Sequence, residues 1–404
     1  MSIALLGGTP VRDTPFPPWP QMDEREEQAL LRSLRQGQWW RMHGTENDAF
    51  EKEFSEFHGA QGALTVSSGT HALEVALLTA GIGAGDEVLV PAFTFISTSM
   101  AVQRVGAIPV PVDVDLETYC IDPQAVKNAI TAKTKAIIPV HMSGHFADMP
   151  ALIEIAKPQN LTIIQDAAHA HGALGPGGRS AGQWGTMACF SFQNFKLMTA
   201  GEGGAILFPS QKMREKAFLF SNCGRPKGDL AYNHLVCGSN YRLGEFPAAV
   251  LRVQLERLPR QTETREQNMP ILLDALKDVE GIIPQGRTDD AVLDPNYMFM
   301  FRLDPKVFSK IDRNAFVEAL VAEGLPAYRA YQTLYRMPAF WVEPNPGLTE
   351  ADWIAKCPAS EAIANYGIWI HHRALLGTKE DVLDVANAIK KVAEHHHLLV
   401  SDAA

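Results

Sequence analysis

One lysine in the chain has the surroundings that covalent amine chemistry needs. Lys196 lies between an aromatic run, Phe-Ser-Phe at residues 190–192, and a glycine-rich turn at residues 201–204. Most lysines are solvated surface charges, but the near neighbours of this one are mostly apolar or small, which predicts burial. Burial lowers the pKa of a lysine and favours the neutral amine that attacks a carbonyl carbon. We therefore predict that Lys196 forms a Schiff base, with a surface lysine as the ordinary alternative.

A carboxylate at the end of an apolar run is the second candidate. Residues 163–172 read Ile-Ile-Gln-Asp-Ala-Ala-His-Ala-His-Gly, so Asp166 ends a predicted strand. In open α/β sheets ligands bind at the carboxyl ends of strands, where an acid can pair with a protonated pyridine nitrogen. A helix cap for Asp166 and a metal pair for His169 and His171 are the alternatives. Residues two apart point to opposite sides of a strand, so the metal interpretation is weak and no metal is predicted.

The third candidate is a helix start that could bind an anion. Residues 66–73 read Val-Ser-Ser-Gly-Thr-His-Ala-Leu, in which small residues open an apolar-periodic helix. Free N–H groups and the helix dipole make such a terminus an anion site. For this motif alone an ordinary helix capped by Ser68 or Thr70 is the preferred interpretation. Taken together, the three motifs supply a phosphate cradle, a pyridinium partner and an amine nucleophile.

The elements that must position these groups alternate between strand and helix from residue 62 to about residue 208. This alternation predicts a mostly parallel sheet covered on both faces. The weakest strand is residues 107–110, because Pro109 cannot donate to a ladder and belongs near a strand end. The other strand candidates are residues 87–90, 135–140 and 161–165, and the helix candidates are residues 23–35, 70–80 and 123–130.

The pattern changes after about residue 251, where long helical segments replace most of the strand runs. We interpret this change as a second, smaller domain of the α+β class. The predicted division is a large domain with its N-terminal segment at residues 1–260 and a small C-terminal domain at residues 261–404.

Composition and charge argue against several classes of protein. The 404 residues are 46% hydrophobic and 20% charged, which is ordinary for a globular chain. The net charge of −10 disfavours binding to nucleic acid or to an anionic membrane, and neither a signal peptide nor a bilayer-spanning run is evident. Five scattered cysteines indicate neither a disulfide framework nor a zinc ribbon and favour a reducing, cytoplasmic setting.

These motifs resemble the DegT/DnrJ/StrS family of sugar aminotransferases, which depend on pyridoxal 5′-phosphate (PLP), over nearly the whole chain. The resemblance implies the type I fold of PLP-dependent transferases, as in aspartate aminotransferase. It also implies a homodimer whose active sites lie at the subunit interface and accept a small-molecule substrate. Lys196 would then hold PLP as a Schiff base and move protons, Asp166 would pair with the pyridine nitrogen, and His169 would lie beside the ring.

The same resemblance implies further contacts to the cofactor. Phe95 would stack on the ring, although Phe93 competes for that role and a core phenylalanine is the ordinary alternative. Asn240 corresponds to a family position that reaches the phosphate of the neighbouring subunit. The remaining contacts implied are those of the phosphate with Gly69, Thr70 and Ser191, with Gln193 close by.

Within the family the chain is most similar to 3-amino-5-hydroxybenzoate (AHBA) synthases. The similarity lies in Gln-Gly-Gln-Trp-Trp-Arg-Met at residues 36–42, in residues 166–172 and 191–205, and in Trp-Ile-His-His-Arg at residues 369–373. It implies dehydration and aromatisation of aminodehydroshikimate in secondary-metabolite biosynthesis. The alternative is an aminotransferase that passes an amino group from glutamine or glutamate to a keto-sugar or keto-cyclitol. One residue departs from the pattern, because Phe195 precedes the lysine where those synthases carry glycine.

Substrates of either reaction carry negative charge, as a carboxylate or as a nucleotide phosphate. Arg41, Arg242 and Arg373 are the candidates to bind it, since the planar guanidinium suits both groups. A structural ion pair is an equal alternative for each. A non-catalytic PLP-binding regulator is a distant alternative, and the presence of Lys196 argues against it. A nicotinamide enzyme is another, and the chain has no G-x-G-x-x-G after a strand.

Overall fold

Seven strands between residues 62 and 208 form one sheet in the computed structural model, which describes residues 2–288 and 290–399. The strand order is β1-β7-β6-β5-β4-β2-β3. The pairs β3–β2, β2–β4, β4–β5 and β5–β6 are parallel, and only β7 runs against its neighbours. The predicted mostly parallel sheet is confirmed. The strands are β1 Gly62–Val66, β2 Glu87–Pro91, β3 Ile108–Val112, β4 Thr134–Ile137, β5 Thr162–Asp166, β6 Met187–Ser191 and β7 Gly204–Phe208.

Side chains on both faces of this sheet are buried. In β6 the alternate residues Ala188 and Phe190 join one apolar core, whereas Met187 and Cys189 join the core on the opposite face. Such two-sided burial follows from the period of two along a strand and is typical of parallel sheets. Pro109 lies within β3, which is the edge strand of the sheet, where a missing N–H costs least.

Helices pack on both faces of the sheet and continue beyond it. The helix that matters most for the site is α3, whose N-cap Ser68 accepts a hydrogen bond from the N–H of His71 at 3.1 Å. This helix ends at Gly81, which has a φ of +82°. The helices are α1 Glu24–Gln36, α2 Glu46–Phe57, α3 Gly69–Ala80, α4 Ser97–Arg104, α5 Pro123–Ala129, α6 Met149–Ala156, α7 Gln211–Ser221, α8 Glu245–Leu276, α9 Arg313–Ala322, α10 Glu350–Lys356, α11 Pro358–Tyr366 and α12 Lys379–Glu394.

A second sheet of four antiparallel strands follows in the C-terminal part of the chain. Its order is β10-β11-β9-β8. The smaller α+β part expected after the large sheet is thus present. Its strands are β8 Ile282–Pro284, β9 Met298–Leu303, β10 Ala327–Arg329 and β11 Gly367–His371.

The long helix α8 connects the two parts and crosses the predicted boundary at residue 260 without a break. Its residue Leu258 packs in the core of the large sheet, whereas Leu272 packs in the core of the second sheet. Ile3 and Phe16 also pack in the second core. The division at residue 260 stays a prediction, and residues 400–404 of the predicted small domain lie outside the described residues. In the part described here, no helix is long and apolar enough to cross a membrane.

Candidate active site

A cavity of about 350 Å³ opens where the strands of the large sheet end. Strands β1, β5 and β6 all end at this edge. β5 and β6 pair in parallel, and β1 runs in the same direction as β6 because both pair antiparallel with β7. The second sheet closes the other side with aromatic side chains, of which Tyr297 precedes β9 and Trp369 lies in β11. The cavity is thus built jointly by both parts of the fold.

Lys196 projects into this cavity from the turn that follows β6. Its N–H donates to the carbonyl oxygen of Gln193 at 2.8 Å, which fixes the turn. Its Nζ lies 4.7 Å from the centroid of the Tyr297 ring, a distance at which the ring face attracts a cation. Burial lowers the pKa of Lys196 from 10.5 to about 8, and the nearby charge of Asp166 opposes this shift.

Asp166 ends strand β5 and lies at the bottom of the cavity, where 8% of the residue is exposed. Its two carboxylate oxygens accept hydrogen bonds from the hydroxyl of Thr98 at 2.9 Å and from the N–H of Ala168 at 3.2 Å. Burial raises the pKa of Asp166, and these two hydrogen bonds together with the charge of Lys196 oppose the shift. A cationic group that entered the cavity beside Asp166 would stabilise the ionised carboxylate.

The two histidines of the β5 motif lie in the loop after the strand and have different surroundings. His169 lines the cavity and stacks on Tyr297, with ring centroids 4.4 Å apart. Its Nδ1 is buried and has no hydrogen-bond partner among the described residues, and burial holds its pKa well below the usual value. His171 lies outside the cavity, where its Nε2–H donates to the carbonyl oxygen of Ser191 at 2.9 Å.

The first turn of α3 forms the end of the cavity next to β6. Gly69, Thr70 and Ser191 all line the cavity, and Thr70 donates its hydroxyl to Ser97 at 2.9 Å. A Cβ on Gly69 would lie 2.7 Å from the Cβ of Ser191, so only glycine allows the helix to start this close to the strand. Among the described residues no acceptor is found for the N–H groups of Gly69 and Thr70, which lie at the positive end of the helix dipole.

The two phenylalanines that competed for the ring-stacking role are separated by the fold. Phe95 lines the cavity and is 54% exposed, whereas Phe93 is fully buried in the core. Gln193 also lines the cavity, and its side-chain oxygen accepts a hydrogen bond from the N–H of Phe195 at 2.9 Å.

None of the three predicted substrate arginines lines the cavity of this chain. Arg41 is buried and paired with Glu51 at 2.8 Å and Asp48 at 2.9 Å. This is the structural ion pair that was the alternative to substrate binding. Arg242 donates to the side-chain oxygen of Asn222 at 2.9 Å. Arg373, in the 3-10 helix His372–Leu376, is half-buried, and its N–H donates to Nδ1 of His371 at 3.2 Å.

Asn240 is exposed and likewise lies away from the cavity of its own chain. It forms an isolated antiparallel bridge with Asn222 at the end of α7. A role toward a neighbouring subunit stays a prediction.

Several cavity residues were not identified from the sequence. Thr98 contacts Asp166 and lies only three residues after Phe95 in the chain. Tyr297 and Tyr331 come from loops next to strands of the second sheet. Nothing in their local sequence indicates proximity to Lys196, because their placement depends on packing between distant parts of the chain.

Comparison with known proteins agrees with this fold. The model of the DegT/DnrJ/EryC1/StrS aminotransferase family matches residues 20–390, and the chain belongs to this family of PLP-dependent enzymes. The 3-amino-5-hydroxybenzoate synthase of Amycolatopsis mediterranei is 49% identical over 376 residues, which cover 93% of this chain and 96% of the relative.

Two further proteins are similar to this chain over nearly its whole length. The L-glutamine:2-deoxy-scyllo-inosose aminotransferase of Streptomyces kanamyceticus is 34% identical and covers 99% of this chain and 98% of the relative. A crystal structure of AHBA synthase is 48% identical, with a TM-score of 0.91, and covers 94% of this chain and 99% of the other. The chain therefore has relatives of both kinds, an AHBA synthase and a glutamine-dependent aminotransferase.

The residues of the cavity fit PLP. The first turn of α3 offers N–H groups without protein acceptors to a phosphate. At the other end Asp166 is a buried carboxylate that forms no ion pair within the described residues and would suit a protonated pyridine nitrogen. The buried, unpaired Nδ1 of His169 lies along the same wall.

Proposed function

We propose that the protein is an AHBA synthase, which removes one water molecule from aminodehydroshikimate and lets the ring aromatise. The observation that carries this proposal is the difference in sequence identity to two relatives. The AHBA synthase of A. mediterranei is 49% identical over 93% of the chain, whereas the glutamine-dependent aminotransferase of S. kanamyceticus is 34% identical over a similar share. The biological setting that we propose is secondary-metabolite biosynthesis in the cytoplasm, which suits five cysteines that form no disulfide.

Lys196 is the residue that we expect to carry the chemistry. PLP, when bound, would supply the electron sink for a negative charge that develops on the carbon next to the substrate's amine. Lys196 would hold the cofactor covalently and, once released, would take a proton from that carbon. A pKa of about 8 suits this task, because a group with a pKa near the working pH both accepts and returns protons. Returning the proton to the departing hydroxyl group completes the loss of water.

The other residues at the bottom of the cavity would position the cofactor. The carboxylate of Asp166, oriented by the hydroxyl of Thr98 at 2.9 Å, would pair with the pyridine nitrogen and keep it protonated. His169, which stacks on Tyr297, would lie beside the ring, and Phe95 would cover its face. The phosphate would be held by Gly69, Thr70 and Ser191, with Gln193 nearby.

We further propose a homodimer in which Asn240 reaches the cofactor phosphate of the partner. The segment that leads to Asn240 exposes Leu230, Tyr232 and Leu235, at 92%, 71% and 63%, and large apolar side chains of this kind favour contact with another protein surface. A second subunit could also bring Arg242 or Arg373 next to a substrate carboxylate, which the cavity of one chain leaves without an arginine.

The homodimer can be tested by mixing two inactive variants. In a mixed dimer of Lys196→Ala and Asn240→Ala, one site carries both changes and the other carries neither. Activity that is regained on refolding the two variants together, toward one active site per mixed dimer, is the expected result. If the mixture is no more active than the separate variants, Asn240 does not act across the interface.

Absorbance spectra and product analysis distinguish the proposed AHBA synthase from the alternative aminotransferase. The purified protein, supplied with PLP, should show a visible absorbance band that a Lys196→Ala variant lacks. It should convert aminodehydroshikimate to AHBA without any amino donor, as followed by chromatography. Bleaching of the band by glutamine or glutamate, with no AHBA formed, would instead establish an aminotransferase. Absence of the band even with added PLP would overturn both assignments.

A further inference from the structure

One aromatic ring next to the second sheet lies directly against the amine of Lys196. The Nζ of Lys196 is 4.7 Å from the centroid of the Tyr297 ring, and Tyr297 is buried, with 5% of the residue exposed. Among the described residues no other aromatic ring meets this amine in the same way. Both residues belong to one chain, so the contact does not depend on how a second subunit covers the cavity.

The ring of Tyr297 is held in place from several directions. Its N–H donates to the carbonyl oxygen of Ser143 at 2.9 Å. Two residues earlier, the carbonyl oxygen of Pro295 accepts from Nε–H of Arg265 at 2.6 Å, and Arg265 is fully buried in α8. The ring also stacks on His169, with centroids 4.4 Å apart and an interplanar angle of 27°. The face that meets the amine is therefore part of a rigid wall.

The face of the Tyr297 ring, and not its hydroxyl group, is the part that acts on the amine. Burial raises the pKa of Tyr297 well above 10, so the phenol stays neutral and supplies neither a negative charge nor a base. The negative face of the ring attracts a cation, and this attraction strengthens in poorly solvated surroundings. The ring thus favours the charged form of Lys196.

The ionisable groups around the amine leave this ring face with a specific task. These groups are Asp166 at the end of β5, His169 and His171 in the following loop, Glu202 in the glycine-rich turn, and Tyr331 after β10. Burial keeps both imidazoles and the phenol neutral at pH 7, and Glu202 is exposed to solvent that screens its charge. The carboxylate of Asp166 is the remaining charge, and bound PLP would pair with it. For the charged amine the Tyr297 ring is then the favourable contact that remains.

We propose that Tyr297 is a positioning residue for the reaction, whose ring face holds the amine of Lys196 while that amine carries the proton taken from the substrate. The proton leaves the substrate carbon for Nζ and later leaves Nζ for the oxygen of the departing hydroxyl group. The electron pair of the broken C–H bond ends in the new carbon–carbon double bond. Between the two transfers the ring keeps the ammonium group next to the reacting atoms. The inference rests on the proposed function, since it names a residue that assists Lys196 in that reaction.

The first test measures the charge state of Lys196 in the cofactor-free full-length chain. Trace acetylation by acetic anhydride from pH 6 to pH 11, read by mass spectrometry of the peptide that contains Lys196, follows the fraction of neutral amine. Tyr297→Leu should lower the pKa of Lys196 by about one pH unit, equivalent to about 1.4 kcal/mol, because the charged form loses the ring face. Tyr297→Phe keeps the face and should leave the pKa within about 0.3 of the wild-type value.

A matched variant separates the ring face from the filling of space. Tyr331→Leu removes a second tyrosine from the same cavity, and that tyrosine has no cation–π contact with Lys196. Water that enters the space left by either ring would raise the pKa of Lys196, so a fall confined to Tyr297→Leu identifies the loss of the face. If Tyr297→Leu does not fold, Tyr297→Met takes its place, because the flexible methionine side chain adapts to irregular gaps.

The second test uses the PLP-bound enzyme. The kcat for aminodehydroshikimate should fall at least tenfold in Tyr297→Leu while KM stays within threefold, and Tyr297→Phe should keep kcat within threefold of the wild type. A loss in Tyr297→Phe as large as that in Tyr297→Leu would assign the role to the hydroxyl group and overturn the proposal.

The proposal is likewise overturned if the pKa of Lys196 does not fall in Tyr297→Leu, or if it falls equally in Tyr331→Leu. Failure of the proposed function looks different. In that case the wild type would not convert aminodehydroshikimate, yet the acetylation of Lys196 would still show whether the Tyr297 ring holds the charged amine.

Discussion

Replacing Lys196 with methionine should stabilise the protein in its cofactor-free form, even though the lysine is the central residue of the site. Burial lowers the pKa of Lys196 from 10.5 to about 8, so at pH 7 the fold holds a charged amine in poorly solvated surroundings. At about 1.4 kcal/mol per pKa unit the difference corresponds to about 3.5 kcal/mol. Because the side chain is partly exposed and solvent screens its charge, we expect about 2 kcal/mol.

The pH dependence of this effect has a definite sign. The unfolded chain keeps the proton of Lys196 up to about pH 10.5, whereas the folded chain releases it above about pH 8. Between these values the unfolded state keeps the proton of Lys196 more often than the folded state, so the contribution of Lys196 to stability becomes more favourable as pH rises. The advantage of Lys196→Met should therefore be largest below pH 8 and should disappear toward pH 10.5.

Urea unfolding of the cofactor-free proteins at pH 7 and pH 10 measures this difference, at a fixed protein concentration because association shifts apparent stability. Lys52→Met is the matched control, since the Lys52 side chain is 75% exposed, and it should change the free energy of unfolding by less than about 0.5 kcal/mol. The reasoning is refuted if Lys196→Met is less stable than the wild type at pH 7, or if its advantage is the same at both pH values.

Strands, helices and the main chemical groups of the site could be predicted because their signals are local. The strand expected at residues 161–165 is β5 Thr162–Asp166, and the helix expected at residues 70–80 is α3 Gly69–Ala80. A short apolar run indicates the strand, and apolar periodicity after a capping serine indicates the helix; neither signal depends on distant residues. Since the ends of parallel strands meet at one edge, Asp166 and Lys196 could be expected in a common cavity before its geometry was known.

The second half of the cavity could not be predicted, because it depends on how the two sheets pack. Tyr297, Tyr331 and Trp369 are separated from Lys196 by at least a hundred residues. A tyrosine before a strand is typical of many apolar cores. Only the tertiary structure brings these three rings to the cavity. The sequence gives no signal for them beyond the similarity of residues 369–373 to AHBA synthases.

The position of Arg41 shows why residue type alone does not assign a substrate contact. Asp48 and Glu51 are three residues apart in α2 and so lie on one face of that helix. That face meets Arg41 and pairs with its guanidinium. The same arginine could have met a substrate had the loop before α2 taken another course, and the sequence does not specify that course.

Two further predictions concern a residue that lines the cavity, Thr98, and a residue in a structural ion pair outside it, Arg41. Thr98→Val removes the hydroxyl donor of Asp166 and should lower kcat/KM about tenfold, equivalent to about 1.4 kcal/mol. It should also raise the pKa of Asp166 in the pH profile, and Thr98→Ser should restore both values. Arg41→Met should lower the free energy of unfolding, measured in urea, by about 2–3 kcal/mol. This is less than the 3–5 kcal/mol typical for breaking a buried ion pair, because Glu51 keeps Arg214 at 2.8 Å. Its kcat should stay within twofold of the wild type, since Arg41 lies outside the cavity, and a correctly folded but inactive Arg41→Met would contradict that placement.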